Sequence, residues 1–308
     1  LSPQLGDGNT PSSRAWFSVS ESDTISFQWS ATDDNLDFAT LSDVPGGNPS
    51  PDTSPFNYEW NLIGNLDEGK YNPVLTVQDS DSNVATSTLY IGIDRTGPDI
   101  GTPNLDYNLN GVKTSISSGQ WISTSEINVS NLNVGVTDNG GVGIDSYEYQ
   151  ILPDESGWNP ISSLGSVSIP VSSGELILQF RGVDLLGNKG EIVNFSVNID
   201  TIKPNFHGWE FPEVTTSTVE NVLVSFQTSD IDSGIDFDNT VIEYGFDLDG
   251  VGDNPDDGNG WYSSPIESDD LQISTSISGV IWNLKENQYL MLRATIYDNA
   301  GNQKITTP

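Results

Sequence analysis

The stretch of this chain best suited to chemistry is Asp247-Leu-Asp249-Gly-Val-Gly-Asp253-Asn-Pro-Asp256-Asp257-Gly-Asn-Gly-Trp261, where five carboxylates alternate with glycine, asparagine and proline. Calcium takes roughly six to eight oxygen ligands at about 2.3–2.6 Å, and alternate aspartates on a glycine-bent loop can supply them. The spacing is not that of an EF-hand, because the fifth position is Val251 and no glutamate closes a twelve-residue loop. Five carboxylates packed without a cation would repel one another. Asp247, Asp249, Asp253, Asp256 and Asp257 are therefore the main expected calcium ligands, with a solvated acidic turn as the plain alternative. A weaker candidate set is Asp230, Asp232 and Asp236 in Asp230-Ile-Asp232-Ser-Gly-Ile-Asp236. Related positions upstream carry Asp138 and Asp145, and before them Asp33, Asp34 and Asp37. That recurrence favours aspartates that cap turns through backbone amides.

Catalysis finds little to work with. His207 is the only histidine, so a Ser-His-Asp triad would have to pass through it. It lies just past a linker, between Phe206 and Trp209, where a packing or interface role is expected. The absence of cysteine removes disulfides, thiolate metal sites and cysteine nucleophiles, and zinc lacks its usual ligands. A carboxylate pair for glycoside cleavage needs a cleft, which a sandwich of about a hundred residues seldom provides. The chain is expected to be non-catalytic. Two N-glycosylation acceptors occur, Asn128-Val-Ser130 and Asn194-Phe-Ser196, whereas Asn48 is followed by Pro49 and is disqualified. Both acceptors are expected on strands, where a glycan needs the residue to face outward.

The elements that would position these residues recur. Three apolar strands end in an aspartate and lead through a turn to an asparagine: Asp79-Ser-Asp-Ser-Asn83, Asp184-Leu-Leu-Gly-Asn188 and Asp298-Asn-Ala-Gly-Asn302. The last two carry a glycine, which takes positive φ without penalty. Closing strands follow the first two turns, ending at Asp94 and Asp200, and then the linkers Arg95-Thr-Gly-Pro98 and Thr201-Ile-Lys-Pro204. Proline cannot continue a ladder, so each marks a boundary. Alternating segments lie upstream at Ile25–Trp29, Leu132–Val136 and Val222–Phe226, and at Tyr58–Trp60, Tyr147–Tyr149 and Ile242–Tyr244. No long segment shows a helical period. A period of about 105 residues with short strands fits an all-β chain of three tandem immunoglobulin-like antiparallel β-sandwich domains. These cover residues 1–95, 96–201 and 202–308, the last with a final strand that is short or cut.

The 308 residues carry 10 Lys plus Arg against 44 Asp plus Glu, a net charge of −34. Aspartate outnumbers glutamate 30 to 14, which places the acid mostly in turns. Such a surface repels nucleic acid and anionic lipid and suits high salt, a divalent-rich medium or cation binding. No run of about 18 apolar residues exists, so no membrane insertion is expected in this segment. The chain begins at Leu1 rather than Met and reads as a mature or excised piece of a longer protein.

The strand, the Asp-x-x-Gly-Asn turn, the closing strand and the proline-bearing linker resemble tandem immunoglobulin-like modules of bacterial and archaeal cell-surface proteins, such as surface-layer proteins and large adhesins. The resemblance covers essentially the whole chain. The first repeat departs from it by lacking the turn glycine and by a long middle rich in proline and glycine. The Asp-x-Asp-Gly-x-Gly-Asp run is similar to calcium loops of thrombospondin type 3 repeats. The resemblance implies an extracellular structural or spacer module, stiffened by calcium, whose partners are neighbouring domains or subunits of a surface assembly. An adhesive or carbohydrate-binding module that uses glycan-stacking aromatics such as Trp158, Trp261 or Tyr262 stays open beside it, as does the accessory region of a secreted hydrolase.

Overall fold

The computed structural model describes residues 3–18, 24–44, 57–63, 67–154, 157–162, 164–210, 221–250, 254–256, 258–269, 272–278 and 288–307, with backbone alone for 24–30, 57–63 and 269. Among the described residues, apart from one 3-10 turn, Pro11–Ser13, all regular elements are strands.

The first repeat holds β1 (Ala15–Phe17), β2 (Thr24–Ser30), β3 (Leu36–Ser42), β4 (Asn57–Ile63), β5 (Gly69–Tyr71), β6 (Val74–Asp79), β7 (Val84–Thr88) and β8 (Ile91–Ile93). The second holds β9 (Asn104–Leu109), β10 (Val112–Ser115), β11 (Trp121–Ile122), β12 (Glu126–Ser130), β13 (Ile144–Leu152), β14 (Asn159–Ile161), β15 (Val167–Pro170), β16 (Gly174–Asp184) and β17 (Val193–Ile199). The third holds β18 (Asn205–Glu210), β19 (Val222–Ser229), β20 (Ile235–Asp247), β21 (Tyr262–Ser264), β22 (Glu267–Asp269), β23 (Gln272–Ile277), β24 (Tyr289–Asp298) and β25 (Gln303–Ile305).

Each sheet draws its strands from one repeat. The sheet orders are β1-β8-β5, β2-β4 and β3-β6-β7 in the first, β10-β9-β12-β15 and β11-β17-β16-β13-β14 in the second, and β18-β19-β23-β22 and β21-β20-β24-β25 in the third. Hairpin pairings are antiparallel, but β1 pairs with β8 in parallel, and β11 with β17. In the first two repeats a short early strand thus lies beside the closing strand of its own repeat, as in an immunoglobulin-like sandwich.

Period-two burial builds the cores. Along β16, Leu176, Leu178 and Phe180 are buried while Glu175 and Ile177 face solvent. In the third repeat, Phe226 of β19 and Ile273 of β23 meet Ile242 of β20 and Ala294 and Ile296 of β24 in one cluster, which packs the two sheets face to face. Trp209 and Phe206 close its edge, each within 5.6 Å of Phe226 or of the other by ring centroid. By internal density the chain falls into two compact units. One contains Leu1–Asn104, Val129–Val167 and Leu178–Asn194, and the other contains Leu105–Asn128, Ser168–Ile177 and Phe195–Pro308.

One expected strand does not form. Leu132–Val136 is a run of turns, and the strand lies just before it, at β12. Asn131 and Gly135 take φ of 64° and 71°, a left-handed backbone that no ladder accommodates. Leu132 is nonetheless fully buried, so its apolar side chain plugs the core from a loop.

Candidate functional site

Three groups of aspartates converge among the described residues. In each, the carboxylate oxygens lie within 4.8 Å of one another. The first is Asp94, Asp138 and Asp184. Asp94 directly follows β8, Asp184 ends β16, and Asp138 sits in the turns ahead of β13. The second is Asp200, Asp230 and Asp298, which directly follow β17, directly follow β19 and end β24. Position by position the second group repeats the first, one sandwich further along the chain. Four of the six residues, Asp94, Asp184, Asp200 and Asp298, are no more than 2% exposed.

The same hydrogen bonds build both groups. Asp184 Oδ1 accepts from the amides of Leu186 (2.7 Å) and Asn188 (2.8 Å), and its Oδ2 accepts from Asn188 Nδ2 at 2.7 Å. Asp298 accepts likewise from the amides of Ala300 (3.0 Å) and Asn302 (2.8 Å) and from Asn302 Nδ2 at 2.8 Å. Each asparagine also reaches across to the repeat before it. Asn188 Nδ2 donates to the backbone carbonyl of Asp94 (3.2 Å), and Asn302 Nδ2 to that of Asp200 (3.0 Å). Ser18, just past β1, donates from Oγ to Asn188 Oδ1, and Ser123, just past β11, does the same to Asn302 Oδ1. The strand-ending carboxylates are held as well. Asp94 Oδ2 accepts from the Val142 amide (2.7 Å), and Asp200 Oδ2 accepts from Ser233 Oγ (2.6 Å) and the Ser233 amide (3.2 Å).

The first linker is pressed onto the turn it meets. A Cβ on Gly190 would stand 2.0 Å from the carbonyl oxygen of Pro98, and one on Gly97 would stand 2.2 Å from the backbone of Lys189. Glycine at these two positions is what permits the approach. Glu68 ties the same linker by accepting from the Arg95 amide (2.7 Å) and Thr96 Oγ1 (3.0 Å).

Crowding burial with like charge shows in the acidities. Burial, reinforced by the carboxylates of Asp138, Asp184 and Glu68, pushes Asp94 up to about 6 against the pull of the Val142 hydrogen bond. Burial likewise raises Asp138 and Asp230. Asp298 is raised by burial, with Asp200 and Asp230 adding to it and Asn302 opposing.

The third group is Asp247, Asp249 and Asp256, drawn from the acidic loop after β20. Asp247 is 3% exposed, and Asp249 and Asp256 face solvent. Asp256 Oδ1 accepts from the Leu248 amide at 2.6 Å and its own amide donates to the Phe246 carbonyl, so the loop is folded back on itself. Asp253 and Asp257 lie outside the described residues. Of the other expected set, Asp230 joins Asp200 and Asp298, whereas Asp232 and Asp236 do not belong to the group. The Asp232 amide donates to Asp230 Oδ1 (3.2 Å), and Asp236 accepts from Asn239 where β20 breaks register.

The remaining sequence candidates lie on the sheets or, for Trp158 and Trp261, just ahead of β14 and β21. Asn194 is exposed on β17 and accepts from Gln179 Nε2. Asn128 is half-buried on β12, accepting from Ser168 Oγ (2.6 Å) and donating to Asp106 (3.4 Å). Trp158 and Trp261 each carry a guanidinium on one face, Arg181 at 3.8 Å and Arg293 at 4.3 Å. Those arginines pair with Glu148 and Glu243. Tyr262 stacks on Tyr244 at 5.3 Å. His207 Nε2 meets Ser229 Oγ at 2.9 Å, across the β18–β19 ladder.

Asp94, Asp184, Asp200 and Asp298 were visible in the sequence as strand ends and turn starts. Their convergence was not, because 44 positions separate Asp94 from Asp138 and 98 separate Asp200 from Asp298. The signal that could have found them is that both members of each pair recur in the next repeat.

No protein-family model matches the chain, and no curated protein matches it. Solved structures do. A 1.5-MDa bacterial ice-binding adhesin is 16% identical over 92% of this chain and 88% of that one, with a TM-score of 0.44. A tetra-tandem repeat from the extending region of a large adhesion protein is 16% identical over 94% and 69%, with a TM-score of 0.30. Fibronectin(III)-like modules of Clostridium thermocellum are 12% identical over 57% and 85%, with a TM-score of 0.26. These likenesses are of fold. Among the described residues no helix is long and apolar enough to cross a membrane.

Proposed function

We propose that this chain is a non-catalytic spacer of an extracellular surface assembly, a stalk, filament or layer, in which the junctions between consecutive repeats are locked and calcium neutralises the locks. The observation that carries the reading is the duplicated junction: the same serine, strand-ending aspartate, turn aspartate and asparagine join the first repeat to the second and the second to the third. A chain built to let its repeats swing would not place four carboxylates at 2% exposure or less where they meet. A side chain bonded to the backbone of the preceding repeat resists bending, and resisting bending is the work of a spacer.

Calcium suits the donor set. Each group brings three carboxylate oxygens, one from each aspartate, within 4.8 Å of one another, and no nitrogen or sulfur ligand. The ion would supply the positive charge that Asp94, raised to about 6, lacks. Asp247, Asp249 and Asp256 offer a third and more exposed set. The guanidinium over one face of Trp158 and of Trp261 leaves those indoles half-occupied, which favours a packing role for them over stacking with a glycan.

The test is thermal unfolding with calcium chloride and with chelator at fixed ionic strength, alongside calorimetric titration with calcium alone. A ligand of the native state raises the midpoint by mass action. A midpoint unmoved at millimolar calcium, with no heat of binding, would remove the cation from the reading.

A further inference from the structure

The first repeat carries the same turn as the other two, and among the described residues only its own Asn35 bonds to the far side of it, with no cover from another repeat. Asp79 Oδ1 accepts from the amides of Asp81 (2.9 Å) and Asn83 (2.7 Å), and Asn83 Nδ2 donates to Asp79 Oδ2 at 2.7 Å. This is the arrangement of Asp184 with Asn188 and of Asp298 with Asn302. Asp33 stands 46 positions before Asp79, as Asp138 stands before Asp184. It accepts from the Asn35 amide as Asp230 accepts from that of Asp232.

What differs is the cover. Asn188 and Asn302 use Nδ2 on a carbonyl of the preceding repeat and Oδ1 on a serine hydroxyl. Among the described residues Asn83 makes neither bond. Asp33 and Asn83 are exposed, and Asp79 is half-buried where Asp184 and Asp298 are 1% exposed. Val84, the next residue, is 57% exposed.

We propose that the Asp33, Asp79 and Asn83 face of the first repeat is a third junction face, and that it takes the C-terminal end of a further repeat of this kind lying ahead of it on the same polypeptide. The occupant must bring a backbone carbonyl for Asn83 Nδ2, a hydroxyl for its Oδ1 and a strand-ending aspartate beside Asp33, as Asp94 and Ser18 bring theirs to Asn188. A repeat ahead on the same polypeptide is the source because it is what fills both covered faces. The inference rests on the proposed junction and not on any cation.

The chain has no cysteine, so a single introduced thiol reports the cover at its own position. In the chain as it stands, Asn83→Cys should react with a maleimide at least ten times faster than Asn188→Cys. Next, a second copy of residues 1–105 is joined directly ahead of Leu1. This sets a copied Asp94 44 positions before Asp33, the separation of Asp94 from Asp138. Asn83→Cys in the downstream copy should then slow to the Asn188→Cys rate, while the same change in the upstream copy stays fast. Equal and fast rates at both copies, or an extended chain that does not fold, overturn the proposal. Protection of Asn83→Cys in the unextended chain at rising concentration also overturns it, by showing that a second copy is the occupant. A fast Asn188→Cys would instead defeat the spacer reading, which keeps the two failures apart.

Discussion

Asp94 shows at the residue scale what the junctions ask of single carboxylates. Its acid is pushed up to about 6, whereas an unfolded aspartate titrates near about 4. Between those values the folded chain holds more protons than the unfolded one, so this group's contribution falls as pH rises and its penalty is complete above about 6. Asn at this position keeps an oxygen for the Val142 amide and removes the charge. In chelator, Asp94→Asn should therefore be more stable than the parent at pH 7, with the gain closing toward pH 4. In millimolar calcium the order should reverse, because the variant has lost an anionic ligand. Denaturant titrations at pH 4, 5, 6 and 7 with and without calcium check both halves. Parallel curves for parent and variant at every pH would show that the carboxylate carries no penalty. Asp138, Asp230 and Asp298 are raised too, so the parent should show this slope more than once.

At the scale of elements, the turn that begins each junction face is one design in two grades. Gly187 and Gly301 take φ of 85° and 89°, and in the first repeat Ser82 takes 70° at the same place. A side chain in that left-handed region costs about 1–2 kcal/mol, partly offset by the lower unfolded-state entropy of serine relative to glycine. Ser82→Gly should stabilise the chain by about 0.5–1 kcal/mol, and Gly187→Ser should destabilise it by a similar amount, as read from denaturant midpoints. No gain from Ser82→Gly would mean that Asn83 and Asp79 already bear the strain without penalty. These turns were legible in the sequence because aspartate, glycine and asparagine report local backbone directly. Period-two strands such as β16, β19 and β24 were legible for the same reason. Leu132–Val136 misled because alternation reports burial, and a loop residue such as Leu132 can be buried without a ladder. The parallel pairings of β1 with β8 and β11 with β17 carry no local signal, since strands of two or three residues such as β1, β8 and β11 are defined by their neighbours. The acidic loop stood out by composition, yet the more buried carboxylate groups are those assembled from residues far apart in the chain.

Across the whole molecule, a net charge of −34 acts through two distances. Exposed carboxylates repel through water, and salt shortens that reach from about 30 Å at 0.01 M to about 3 Å at 1 M. The junction carboxylates lie within 4.8 Å of one another, and Asp94, Asp184, Asp200 and Asp298 are at most 2% exposed, so the ionic atmosphere reaches them poorly. Sodium chloride should therefore raise the unfolding midpoint and then level off as surface repulsion is screened. Calcium bound at the junctions should add a further rise that survives in about 0.5 M sodium chloride, where a merely screening divalent would have nothing left to contribute. Midpoints measured on a grid of sodium chloride against calcium separate the two. Loss of the calcium increment at high salt would reduce the acid to a solvating coat. An increment that persists in the parent and shrinks in Asp94→Asn would tie it to the place where one sandwich hands over to the next.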